Sequence, residues 1–312
     1  MPLWGFIVCF ITATLWAVSP IMAARGMTAS KCTPNEINPI RSISFFLSAF
    51  IIALFASDGQ FTLLTSPTAI SCVAASVFLG FFIGDILYFV AIDEIGVSLA
   101  VPISNSYPML VTLTSWLVLG EPVTVKILVG VATVVAGLLC LRLGNRKLKH
   151  IDSIGENVCV KKERKMVRGV LLAAGAGLAW AMSSPLTKLA MISGELSPSE
   201  LTFYRSVALL VFAWSHRMIM VKFFPSKIMS LRNVPKSGWK YFMGSAVIGL
   251  SVGSMLYTTC IRVMPVAIVT AITATSPFMA AMFGRFFLKE HLTFVQWAGI
   301  VTIILGSIIV SI

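Results

Sequence analysis

Gly80–Leu143 of this chain aligns without a gap onto Gly249–Ile312, and both copies are too apolar to fold in water. The 64 columns hold 14 identities, among them Gly80/Gly249, Gly84/Gly253, Leu87/Leu256, Tyr88/Tyr257, Pro108/Pro277, Glu121/Glu290, Thr124/Thr293 and Gly137/Gly306. Upstream the match loosens: Trp16-Ala17 falls on Trp180-Ala181, Ser19-Pro20 on Ser184-Pro185, Glu36 on Glu200 and Arg41 on Arg205. A chain built this way is restricted to two equivalent halves that bury surface against each other.

The solvent of both halves follows from composition. Of the 312 residues 57% are hydrophobic and 12% charged, with mean hydropathy +0.93. A soluble domain has about 45–50% apolar and about 25% charged residues. In lipid every backbone polar group must be satisfied within the segment, so an apolar run reads as a helix of about 20 residues. Ten such spans are expected, near 3–24, 39–56, 68–91, 97–119, 124–142, 168–191, 200–221, 239–261, 265–288 and 293–312. The chain then divides into a first repeat at 1–143 (helices 1–5), a basic linker at 144–167 and a second repeat at 168–312 (helices 6–10). Five helices per repeat invert the second copy relative to the first, around a central cavity. The start, Met1-Pro2-Leu3-Trp4, lacks the basic run of a cleaved leader, so the first span is expected to be retained.

The formal charge of +12 belongs to the loops. Twenty of the 24 Lys and Arg residues, Arg41 included, fall in or beside the loops after helices 1, 3, 5, 7 and 9. The positive-inside rule puts those loops in the cytoplasm and both termini outside, in a plasma (inner) membrane. No aromatic-interleaved basic patch suggests nucleic acid. The six cysteines form no CxxC pair and the three histidines no HExxH, so neither a metal site nor a disulfide framework is expected. A nucleotide-binding fingerprint is also missing, and no cofactor is expected. Gly84-Asp85 lacks the GxGD form of an intramembrane protease and has no intramembrane aspartate partner, which argues against catalysis.

Two proline-broken segments carry the strongest binding signal. Helix 4 reads Val101-Pro102-Ile103-Ser104-Asn105-Ser106-Tyr107-Pro108, and helix 9 reads Thr270-Ala271-Ile272-Thr273-Ala274-Thr275-Ser276-Pro277. Proline frees a carbonyl inside a helix, and lipid tolerates this only where the group faces protein or a watery cavity. Ser104, Asn105, Tyr107, Thr273 and Ser276 are therefore candidate substrate contacts. The plainer reading is that the hydroxyls satisfy freed carbonyls and join helices. Pro20, Pro102, Pro108, Pro185 and Pro277 are the expected helix breaks. The repeated aromatics Trp16, Trp180, Tyr88 and Tyr257 are candidate cavity walls.

Asp85 lies deep in helix 3, where an ionised carboxylate costs about 2.5–3.5 kcal/mol. It is expected to couple protons or contact substrate; pairing with an arginine is the alternative. On the first reading Asp85→Asn stops driven transport and spares the fold. The second copy has Ser254 in that column. Arg41 and Arg205 each follow a glutamate by five residues and are expected to pair structurally near the interface, with substrate-carboxylate contact as the alternative. Glu121 and Glu290, ahead of Thr124 and Thr293, read as helix-end residues. The repeated Gly-x-x-x-Gly faces read as helix packing.

The order of these features resembles the EamA domains of the drug/metabolite transporter superfamily: a Trp-Ala…Ser-Pro opening, Glu…Arg before helices 2 and 7, and a (Gly/Lys)-Glu-x-x-Thr turn before a glycine-bearing last helix. The likeness spans the chain except 144–167. It implies ten helices in a basket around a central cavity, and a secondary transporter that exports amino acids or other small metabolites. No Lys or Arg is expected near the middle of a span. That favours a neutral or zwitterionic solute over the phosphorylated ones of the superfamily's nucleotide-sugar and sugar-phosphate carriers. Asp85 is then placed to meet an ammonium group. The lipid bilayer, one small solute and protons are the expected partners. A receptor or scaffold that transports nothing would be expected to carry a soluble interaction domain.

Overall fold

A computed structural model describes residues 2–32, 34–56, 61–96, 100, 103–104, 107–146, 156–225, 229–276, 278–279 and 294–311. Among these the chain is all helical, with no strand. The helices are α1 (Leu3–Ser30), α2 (Pro34–Ala56), α3 (Pro67–Ile95), α4 (Pro108–Leu119), α5 (Val125–Arg146), α6 (Glu156–Ser193), α7 (Pro198–Phe223), α8 (Lys236–Val263), α9 (Val266–Thr273) and α10 (Phe294–Ser311). Six stretches are long and apolar enough to cross a membrane: Leu3–Ser30, Glu36–Ala56, Pro67–Ile95, Met166–Ser193, Pro198–Phe223 and Lys236–Val263. Large apolar side chains such as Leu47, Ile51, Phe55, Leu117 and Ile219 cover the outside. The protein is a multi-pass membrane protein whose outer solvent is hydrocarbon.

Local chemistry sets the helix ends. Ser66 caps α3 by accepting from the Ala69 amide, with Pro67 in the first turn, where no N–H is needed. Ser197 and Glu200 form a capping box on α7 ahead of Pro198. Gly120, at φ 65°, ends α4 in the left-handed conformation that glycine adopts freely.

Several expectations change at this level. Pro20 and Pro185 do not break their helices; α1 and α6 run through them. Pro185 has no N–H for the Ala181 carbonyl, and Thr114 of α4 fills that place with a hydrogen bond of 2.8 Å. Pro108 opens α4 after a turn at Tyr107, with helical residues at 103–104 ahead of it. Pro102, Pro277 and Asn105 lie outside the described residues. Within the linker expected at 144–167, α6 begins at Glu156.

The distortions that do occur lie elsewhere. Phe78–Gly84 of α3 and Val247–Gly253 of α8 are π-helical, at matching positions of the duplicated block. A π turn widens the helix and turns carbonyls sideways, and such turns recur at functional sites.

The halves interlock. The first helix of each repeat packs into the other repeat: α1 on α8 and α9, α6 on α3 and α4. The pairs α2–α7 and α5–α10 join equivalent helices. Glu36 accepts from the Met229 amide at 2.8 Å and Glu200 from the Thr62 amide at 2.6 Å, so each glutamate holds a loop of the opposite repeat. The expected Glu–Arg pairing is replaced by these ties, because five residues along a helix separate the two side chains around its axis.

Glycine sets the α5–α10 spacing. A Cβ on Gly137 would lie 2.8 Å from the Gly299 oxygen and the Ile303 nitrogen, and one on Gly306 would lie 2.7 Å from the Val134 nitrogen. These are backbone atoms, so a larger side chain must separate the helices. Gly137→Val is expected to lower stability by about 1–3 kcal/mol, read as a lower midpoint in denaturant titration of the purified protein. An unchanged midpoint would mean that the pair is loosely packed.

Candidate functional site

The two π segments face each other across the bundle and receive side chains from the opposite repeat. Trp16 of α1 donates its indole N–H to the Gly249 carbonyl at 3.0 Å, and Trp180 of α6 donates to the Gly80 carbonyl at 3.2 Å. One turn on, Ser19 donates to the Ser245 carbonyl at 2.9 Å and Ser183 to the Ser76 carbonyl at 2.7 Å. Ser19 thus corresponds to Ser183, one residue away from the pairing with Ser184 read from the Ser-Pro motif. The repeated glycines make the room. A Cβ on Gly84 would meet the Trp180 indole nitrogen at 2.8 Å, and one on Gly253 would meet that of Trp16 at 2.8 Å. The Gly-x-x-x-Gly faces therefore seat indoles as well as helices.

Between these walls lies a cavity with about 890 Å³ of empty space, its open mouth included. Of the expected site residues, Trp16, Asp85, Tyr88, Tyr107, Trp180, Tyr257 and Ser276 line it, and so does Pro20. The aromatic walls repeat across the halves. Trp16 stands 5.2 Å from Tyr257, centroid to centroid, and Trp180 stands 5.1 Å from Tyr88 and 5.9 Å from Tyr107. Tyr257 also shares a hydrogen bond of 3.0 Å with Thr270. Ser104 and Thr273 are buried outside the lining and bond back to the Ala100 and Val269 carbonyls. For those two the plainer reading of helix hydroxyls applies.

Charge at the cavity differs most from expectation. Arg41 and Arg205 both line it, each 3% exposed, so both face the cavity and neither faces the outer surface. Two guanidinium groups therefore reach the cavity, so the lack of a mid-span cation in the sequence does not set phosphorylated solutes aside. Arg41 Nη1 lies 2.6 Å from Asp85 Oδ2 in a buried ion pair, and its guanidinium sits over the Phe89 ring at 4.9 Å. Arg205 has Ser254 where Arg41 has Asp85. It donates to Ser254 Oγ at 3.1 Å and lies over the Phe81 ring at 4.1 Å. The signal was in the sequence, because the paired Arg columns and the Asp85/Ser254 column share one face of the fold. The rotation of α2 and α7 that brings them together was not.

A second charged cluster joins the repeats. Glu121, at the end of α4, lies 2.7 Å from Lys188 of α6 and accepts from the Val266 amide at 2.9 Å. Lys188 also donates to the Met264 carbonyl at 3.1 Å. The glutamate read as a helix-end residue caps α9 of the other repeat and ties it to α4 and α6. Its counterpart Glu290 lies outside the described residues. No group of three or more His, Cys, Asp or Glu side chains that could hold a metal occurs among the described residues.

The chain matches the model of the EamA-like transporter family over residues 3–143 and 167–312. An uncharacterized transporter of Archaeoglobus fulgidus is 27% identical over 298 residues, covering 95% of this chain and 94% of that protein. Over 75 residues, 24% of this chain and 66% of the relative, it is 31% identical to the probable 4-amino-4-deoxy-L-arabinose-phosphoundecaprenol flippase subunit ArnE of Photorhabdus laumondii. A solved crystal structure superposes with a TM-score of 0.71 at 15% identity, covering 98% of this chain and 97% of the other, which is a likeness of fold.

Two outcomes follow from these contacts. Removing one partner of a buried ion pair leaves an uncompensated charge, so Asp85→Asn is expected to cost about 3–5 kcal/mol. This revises the expectation of an intact fold. The double variant Arg41→Gln/Asp85→Asn should recover most of that loss, and denaturant midpoints of the three proteins measure it. Trp180→Phe, which keeps the ring but deletes the N–H, is expected to lower stability by about 1–3 kcal/mol. If the midpoint stays put, the Gly80 carbonyl does not depend on the indole.

Proposed function

Since the chain belongs to the EamA-like transporter family, we propose that it is a secondary carrier that exports small metabolites by alternating access. The observation that carries this reading is the cavity between the repeats, walled by the same residues from each: Trp16 with Tyr257, and Trp180 with Tyr88. A site shared by two like halves can be opened to either side by rocking one half against the other. The proposed frame is ten helices in two inverted repeats, with the basic loops on the cytoplasmic face of a plasma membrane and both termini outside. The reciprocal packing of α1 and α6 supports the inversion. The Glu121–Lys188–Val266 tie spans both repeats, and in this reading it breaks when that end opens.

A small zwitterionic metabolite such as an amino acid suits the walls. The rings offer apolar area and π faces for a cation, and the serine and tyrosine hydroxyls offer hydrogen bonds. Proton coupling through Asp85 takes a definite form. Protonation of the carboxylate releases Arg41, which changes the cavity's charge by one unit. Arg41, Asp85 and Arg205 are the charged side chains lining the cavity among the described residues.

Counterflow in proteoliposomes preloaded with a mixed pool of amino acids and small metabolites, under imposed pH gradients, tests the reading. Exchange of a chemically related subset is expected, with a gradient dependence that disappears in Arg41→Gln/Asp85→Asn. Folded protein that exchanges nothing would overturn the carrier reading. Unchanged gradient dependence in the double variant would remove Asp85 from coupling.

A further inference from the structure

Arg41 and Arg205 occupy equivalent places but differ in neutralisation. Asp85 gives its carboxylate to Arg41 at 2.6 Å, whereas Ser254 offers Arg205 only a hydroxyl at 3.1 Å. Among the described residues Arg205 makes no ion pair, and its buried Nε, like that of Arg41, has no hydrogen-bond partner. Phe81 covers one face of its guanidinium at 4.1 Å. Among the described residues the cavity lining therefore carries one cation without an acidic partner, on a planar fork of N–H donors that is 3% exposed. A buried cation of this kind is costly to hold without a counter-charge. Guanidinium geometry matches a carboxylate with two parallel hydrogen bonds.

We propose that Arg205 is the anchor for a carboxylate on the transported solute, and that the cavity selects organic monocarboxylates whose apolar or aromatic body lies against Trp16, Tyr257 and Trp180. The inference rests on the carrier reading and narrows its solute class. One uncompensated cation neutralises one negative charge. A phosphate dianion would leave a charge unmatched, because Asp85 already occupies Arg41. The same arithmetic makes Ser254 the residue that sets charge selectivity: an acid there would copy the Arg41–Asp85 pair and close the anion site.

Binding is measured by indole fluorescence on the purified full chain, with 3-phenylpropionate, its neutral amide 3-phenylpropionamide, and phenyl phosphate as probes. The carboxylate is expected to bind about ten- to a hundredfold more tightly than the amide, the worth of a charged hydrogen bond to a buried arginine. It should also bind more tightly than phenyl phosphate. Arg205→Ala should erase the preference for carboxylate over amide. Ser254→Asp, which supplies the missing partner and is expected to fold, should erase it too. Equal binding of acid and amide, tighter binding of the phosphate, no binding of any probe, or a preference that survives Ser254→Asp would overturn the proposal. Counterflow on the same preparations separates the two readings. Exchange of neutral solutes alone keeps the carrier and removes the anchor. Carboxylate binding lost in Ser254→Asp, with no exchange of any solute, keeps the anchor and removes the carrier.

Discussion

Two hydrogen bonds from indole to backbone hold the centre of this protein together. In hydrocarbon a sideways carbonyl has no water to turn to, so a π-helical segment survives only where a neighbouring side chain satisfies it. Trp16 and Trp180 provide that donor across the repeat boundary, and the glycines one turn along leave the ring its space. The residues that directly follow the widened turns, Asp85 and Ser254, line the cavity. Wall, distortion and charged site therefore form one unit, assembled only when both repeats are present.

That unit is nearly symmetric in shape and asymmetric in charge. The two halves share arginine, tyrosine, tryptophan and serine in matching positions, so both repeats present like walls to one cavity. The departure lies at Asp85 and Ser254. A fully paired cavity would hold no electrostatic preference, and one with two free arginines would be hard to fold in lipid. Among the described residues the cavity lies between these cases, with one ion pair and one cation that has no acidic partner. Glu121 marks a similar departure farther out, because its partner Lys188 has alanine at the matching place in α1.

Much of the architecture could be read from the chain. The duplication, the all-helical class, the membrane setting and the aromatic lining at Trp16, Tyr88, Trp180 and Tyr257 follow from spacing and composition. The proline motifs were less informative than they looked. Pro185 is compensated by Thr114, a contact between helices far apart in sequence. The hydroxyls of Ser104 and Thr273 turn back on their own helices. The distorted turns lie instead at Phe78–Gly84 and Val247–Gly253, which carry no proline and read as ordinary helix.

Sequence alone determined the solvent, the helices and the existence of two like halves, because hydrophobicity and repetition are properties of residues taken in order. Only the tertiary structure decided which way each polar side chain faces. Arg41 and Arg205 lie near helix starts, and from the sequence they belong equally well at an interface. In the structure α2 packs on α7, and Arg41 and Arg205 meet Asp85 and Ser254 at the cavity. The rotation of a helix about its axis is set by the partner it packs against. Here that partner belongs to the other repeat.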